Sequence, residues 1–390
     1  MAVNISPDHL HMRHRAQPAI VRLFLLIVTA SLAATCLAIA VTIETGQGPA
    51  LILRHWPDYY RALADRQPQR EEVWLRALVA MEPRDTDAVM RLAAVAEWRG
   101  DLADARQLLE RAASRDARYR AQWALLDFEA RHPGSSFPRE IARRCFSMSY
   151  GDRRILLETV WSLRPDGRFL VDELLPDSPG TLYQATSFLM DQDELPAARK
   201  AFGRLIRQPI GSPGRANAGI VGTALERAHL GLDLADLHLD RRDPESAVTL
   251  WHSLVERRLI AVDGAAEAGR QVVNSRFRTE PLGRGFDWRM AAASGVEMRR
   301  VEDGWRVDFG SRPPDRAELL TQRILVTDHL MPLEIDSSAP DWVQATVTAG
   351  PPIPGTAMRV ARLRIEYRRP PGQPPLREPL VIRQVRWRPA

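Results

Sequence analysis

Four carboxylates in the C-terminal third, Asp287, Glu297, Asp308 and Glu366, are the residues that could do acid–base work. Glycoside hydrolysis needs two such groups held a few ångströms apart across a cleft. Their alternation with apolar neighbours instead predicts solvated strand faces. Asp191 and Asp193 form an Asp-x-Asp pair, the kind that grips a sugar-nucleotide diphosphate through a divalent ion, but they fall in the turn of a predicted helix pair. His9, His11 and His14 are of a metal-binding type, without a second cluster to complete a site. His229, His238 and His252 fall on predicted helices, where packing or surface roles are the rule. The chain has no GxSxG elbow, HExxH helix, phosphate-cradling GxxxxGK[ST] or GxGxxG turn. It is read as non-enzymatic, with no catalytic, cofactor or metal site. The remaining chemistry is aromatic: Trp288, Trp305, Trp342 and Tyr367, with Arg289, are candidates for stacking on and hydrogen-bonding to a glycan. Most share a strand face with Val, Leu, Ile or Phe, so inward packing competes for them.

The elements carrying these residues change near residue 272. Beyond it the hydrophobic period shifts toward two: Phe286, Trp288 and Met290 alternate with Asp287 and Arg289, and Trp305, Val307 and Phe309 with Arg306 and Asp308. Leu363, Ile365 and Tyr367, then Val385 and Trp387, repeat the pattern among arginines. With "ELLTQRILVT", "LMPLEI" and "WVQATVTAG", roughly eight short strands bounded by turn residues predict an antiparallel jelly-roll sandwich over 272–390.

Upstream, over 54–260, Leu and Ala recur at helical spacing. "DTDAVMRLAAVAEWRGDLADARQLLERAASRDAR" fits one tetratricopeptide unit, with Ala93 and Ala105 small enough for close helix approach and Asp101 placed to cap the second helix. Ala198, Phe202 and Leu205 repeat its closing pattern, as do Ala247, Trp251 and Leu254. Such pairs bury their apolar faces by stacking, and the resulting surfaces usually hold a protein or peptide.

Leu23 to Ile43 is uncharged and long enough to cross a membrane as a helix. Arg13, Arg15 and Arg22 precede it, so the expected topology is a cytoplasmic tail over 1–22, a single inner-membrane span over 23–43, and an extracytoplasmic, periplasmic bulk. Ala38 and Ala40 offer an alternative signal-peptide cleavage site. Cys36 and Cys145 are the only cysteines, so no disulfide framework or zinc pair is expected. The net charge is +5, but Lys200 is the only lysine and the arginines are scattered among carboxylates, which argues against nucleic acid as a partner.

With "RRCFSMSYGDRRILLETVWSL" (143–163), "SFLMDQDELPAARKAFGRL" (187–205) and "VVNSRFRTEPLGRGFDWRM" (272–290), the chain resembles bacterial membrane-anchored proteins that carry tetratricopeptide-like repeats and a C-terminal module similar to carbohydrate-binding modules. The resemblance implies a multidomain chain: transmembrane helix, all-α solenoid, then all-β sandwich. It also implies a place near cell-envelope or exopolysaccharide production. The expected function is a membrane-anchored adaptor whose solenoid binds an envelope or exopolysaccharide-biosynthesis protein, while the sandwich contacts polysaccharide or packs on the solenoid. Alternatives are a polysaccharide-processing enzyme and a structural periplasmic spacer.

Overall fold

The structure is a computed structural model and describes residues 24–37, 56–134, 137–210, 223–265, 268, 271–327, 332–354, 356–376 and 378–388. Among the described residues no helix is long and apolar enough to cross a membrane. The N-terminal helix is described over 24–37. The predicted span over 23–43, and the single-pass inner-membrane topology built on it, are corrected accordingly. Ala38 and Ala40, the tail arginines and His9, His11 and His14 lie outside the described residues.

The chain divides into two compact units, one ending at Gly134 and the other beginning at Ser135. The first contains α1 (Pro57–Arg66), α2 (Glu71–Met81), α3 (Thr86–Trp98), α4 (Leu102–Arg115) and α5 (Tyr119–Arg131). The second contains α6 (Arg139–Met148), α7 (Arg154–Leu163), the one-turn α8 (Gly167–Phe169) continuing as a π-turn over Leu170–Leu174, α9 (Pro179–Asp191), α10 (Leu195–Leu205), α11 (Ala224–Asp240) and α12 (Pro244–Glu256). All eight strands described also belong to this second unit.

Three helix pairs share one construction. In α3–α4, α9–α10 and α11–α12 the turn residue is left-handed: Gly100 (φ 86°), Asp193 (φ 62°) and Arg242 (φ 60°). The next amide closes back on the first helix each time, Asp101 to Ala96, Glu194 to Leu189 and Asp243 to His238, satisfying carbonyls that a helix end leaves open. Five residues past the turn stand Ala105, Ala198 and Ala247, all fully buried where the helices cross. Leu109, Phe202 and Trp251 follow one turn on, also buried. Asp101 and Asp243 cap their helices through the amides of Asp104 and Ser246. Close approach recurs at Gly231 on α11, where a Cβ would lie 2.5 Å from the ring of Phe202. Near the start of α11, buried Arg227 donates to the carbonyls of Leu205, Gln208 and Pro209, which closes the end of α10.

The strands are β1 (Arg289–Met290), β2 (Val296–Val301), β3 (Gly304–Phe309), β4 (Arg316–Val326), β5 (Leu333–Ser337), β6 (Val343–Pro352), β7 (Arg359–Arg368) and β8 (Leu380–Trp387). They form two four-stranded antiparallel sheets, β1-β4-β7-β6 and β2-β3-β8-β5. Trp305, Val307, Ile382 and Val385 from one sheet share a single core with Leu320, Leu363, Ile365 and Tyr367 from the other. Here only β2–β3 and β6–β7 are neighbours both in sequence and in a sheet, and the eight strands form the two-sheet antiparallel sandwich. A bulge between Glu318 and Leu320 lets adjacent Leu319 and Leu320 both be buried.

Candidate functional site

The most elaborated surface of the second unit is the joint between its last helix pair and its sandwich. Asp233, Asp236 and Asp240 are spaced three and four apart on α11, which puts their side chains on one helix face. Each meets an arginine from the β domain. Arg284 Nη1 lies 2.8 Å from Asp233 Oδ2, Arg289 Nη2 2.5 Å from Asp236 Oδ1, and Arg323 Nη2 2.8 Å from Asp240 Oδ1. The Gly285 amide also donates to Asp236 Oδ1 (3.1 Å), and Arg323 Nη1 to the Asp236 carbonyl (3.1 Å). Burial pushes the Asp233 carboxyl above its ordinary range, with Arg284 opposing.

The loop over 281–288 makes the apolar half of the joint. Phe286 packs edge-on against Trp251 of α12 (5.8 Å between centroids), and Trp288 turns the other way, onto Phe277 in the sandwich core (5.5 Å). Between them Asp287 is fully buried. Its two oxygens accept from the amides of Leu282 and Trp288, each at 2.8 Å. Burial raises its carboxyl to about 6, against the pull of those amides. The indoles are anchored too: Trp251 Nε1 donates to the Ala265 carbonyl (2.9 Å) and Trp288 Nε1 to that of Asn274 (3.1 Å). Beside the joint, a cleft of about 470 Å³ opens between the end of α11 and the outer face of β4 and β7. Arg289, Arg323 and Arg362 line it. Arg362 is paired with Glu318 at 2.8 Å, so each of these guanidiniums already faces a carboxylate.

The glycan candidates do not come together. Trp288, Trp305 and Tyr367 are fully buried in the sandwich core, with no ring face for a sugar, and are corrected to core residues. Trp342 is half-buried and stacks on Tyr367 (5.8 Å). Arg289 belongs to the joint. Phe286 and Trp288, expected on a strand, lie in turns that precede the two-residue β1. Asp287 and Glu366, expected on solvated faces, are both buried. Glu366 is held by Arg316 at 2.7 Å. Glu297 and Asp308 do stand opposite each other across β2 and β3. Arg306, however, holds the Asp308 carboxyl below its ordinary range, the reverse of what a general acid requires. Asp193 is the left-handed turn residue, paired with Arg241 at 2.7 Å. His238 is buried with Nδ1 2.9 Å from Asp243, and burial pushes its pKa down. Burial likewise raises the Cys145 thiol to about 12, so it stays protonated.

The first unit spends its arginines between helices. Arg61 meets Asp85 (2.7 Å), Arg91 meets Glu71 (2.7 Å), Arg76 meets Asp104 (2.9 Å), and Arg131 grips both oxygens of Glu97 (2.9 and 3.0 Å). This is why the positive net charge does not gather into a basic groove there. Sequence reasoning missed the three aspartates of α11 and their partners. Their spacing was readable, but Arg284, Arg289 and Arg323 lie some 50 to 87 residues away along the chain.

The described fold is thus a tetratricopeptide-like array of helix pairs followed by a β sandwich. No family model and no curated protein matches the chain. Solved structures do. A MamA protein is 11% identical, covering 52% of this chain and 91% of its own, with a TM-score of 0.22. YrrB, described as a TPR protein with an unusual peptide-binding site, is 11% identical over 52% of this chain and 84% of its own, with a TM-score of 0.21. The pilF protein of Pseudomonas aeruginosa is 14% identical over 62% of this chain and 91% of its own, with a TM-score of 0.23. The helical repeats expected from the resemblance are present as helix pairs, and no described helix is long and apolar enough to be the expected membrane anchor. The envelope and exopolysaccharide partners, and the polysaccharide ligand, inferred from that setting lose their basis with it.

Proposed function

We propose that this chain is a non-catalytic protein-binding scaffold: the helix pairs present the binding surface, and the β domain caps the last pair. A stack of helix pairs ends in an apolar face that needs covering. At the end of this one, the face of α11–α12 that would receive a further pair carries Trp251 and the three aspartates, and the β domain meets them with Phe286 and three arginines. That matched set carries the proposal. It assigns the β domain a structural task instead of a ligand of its own.

The test is site-specific photocrosslinking in the full chain. A photoreactive residue is placed at an exposed helical position, Trp98 or Ile155, or on the outer sheet face at Thr346. The scaffold reading predicts that the helical positions trap one recurring protein and Thr346 does not. Recurrent trapping from Thr346 with none from the helices would overturn it.

A further inference from the structure

Each sheet of the β domain has two outer strands, and three of these four edges are guarded. β1 is only two residues long, and its Arg289 is held by Asp236. β2 carries Glu297, Arg299 and Arg300 in six residues, and β5 carries Glu334 and Asp336 in five. Short length and charge are what keep an edge strand from pairing with another chain. β6 has neither: it runs for ten residues without a charge, and its only sheet neighbour is β7. Among the described residues no backbone hydrogen bond reaches its other side.

The edge of β6 is complementary to itself. Its regular ladder with β7 spans Val343–Ala349; beyond lie a bulge and Pro351 and Pro352, which have no amide hydrogen to offer. The midpoint of that ladder is Thr346. A second β6 laid antiparallel about a two-fold axis at Thr346 sets Ala345 opposite Val347, Gln344 opposite Thr348 and Val343 opposite Ala349. Ala345 and Val347 are half-buried against the sandwich core, so the apolar layers of the two copies run on into one another. On the other face the exposed Gln344, Thr346 and Thr348 bring no charge to the seam. Asp341, exposed and without an ion pair among the described residues, comes to the end of the other copy's strand, where Arg359 donates to the Gly350 carbonyl (3.4 Å). Opposite charges thus meet at both ends.

We propose that β6 is the seam of a homodimer, in which two copies pair antiparallel through Val343–Ala349 and join two four-stranded sheets into one. The dimer carries two helical arrays, so a partner with two docking segments is held by both.

The test is sedimentation velocity of the full chain over a range of concentrations. Thr346 is exposed, so its replacement leaves the core intact. The native chain should sediment at twice the single-chain mass. Thr346→Lys and Thr346→Glu each set like charges opposite one another at the axis and should weaken association about tenfold. An equimolar mixture of the two variants should regain the native affinity, because lysine then faces glutamate. A single-chain mass at every concentration up to about 100 μM, a dimer indifferent to both substitutions, or a mixture no tighter than either variant alone overturns the proposal. In the photocrosslinking, an adduct of this chain with itself at Thr346 reports this pairing, and only a different protein trapped there bears on the scaffold reading.

Discussion

Gly285 is seated on the indole of Trp251. Its φ is +60°, and a Cβ there would lie 2.7 Å from Trp251 Cζ3 and 2.9 Å from Cε3. The backbone of the β domain thereby reaches the last helix pair as closely as packed helices reach each other, and only glycine permits it. Two residues away in sequence, Gly283 has a similar φ of +70° and open space around it.

Gly285→Ala should therefore destabilise the chain by about 2–4 kcal/mol, combining a left-handed alanine with displacement of a buried ring. Gly283→Ala should cost only about 1 kcal/mol. Denaturant unfolding of both variants checks this, and equal losses would remove the close-contact explanation.

The three ion pairs of α11 should differ in worth according to their exposure. Arg289 and Asp236 are 24% and 21% exposed, and Arg284 and Asp233 are 38% and 47%. A double-mutant cycle to alanine should give a coupling of about 1–2 kcal/mol for the inner pair and under about 0.5 kcal/mol for the outer. The outer value should shrink further in high salt. The reverse order would mean that solvent screening does not govern this interface.

Asp287 makes stability depend on pH in a stated direction. Its folded pKa, about 6, lies above the ordinary aspartate value, so the folded chain holds the proton more tightly than the unfolded chain. The stabilisation from this group is full below about pH 4 and is lost as pH rises through about 6. Relative to Asp287→Asn, which cannot titrate, the native chain should lose stability between those values. Melting both proteins across the range tests it; a constant difference, or a native chain that gains with rising pH, would contradict the assignment.

The helix-pair turns give a fourth expectation. Asp193→Gly and Arg242→Gly should each stabilise by about 0.5–1 kcal/mol by relieving left-handed strain, while Gly100→Ala should lose about 1 kcal/mol. Thermal melts would show it, and destabilisation by both glycine substitutions would sink the shared-turn account.

The repeats were legible because their signal is local. Ala105, Ala198 and Ala247 are small where two neighbouring helices must touch, and each stands five residues past its turn. Strands β3 and β7 were legible for the same reason: Trp305 and Val307, then Leu363, Ile365 and Tyr367, alternate inward as their period requires. In "GRGFDW" the identical period misled. Phe286 and Trp288 are both buried, but in different cores on either side of the joint, and no window of sequence distinguishes that from a strand edge. The two left-handed glycines were the available sign of a turn. Asp287 and Glu366 followed polar–apolar alternation yet are buried, because backbone amides satisfy one and arginines the other. For residues 23–43 hydropathy suggested a span, whereas no helix among the described residues is long and apolar enough to cross a membrane.

The central claim is that the β domain and the α11–α12 pair are one cooperative body. Native-state hydrogen exchange on the full chain tests it most directly, by comparing amides of α12 with those of β4 and β7 before and after Arg289→Ala. The cap account predicts that both sets exchange with a common opening free energy and that the substitution lowers both by the same amount. Helical amides that open independently of the strands, with only one set responding to the substitution, would contradict it.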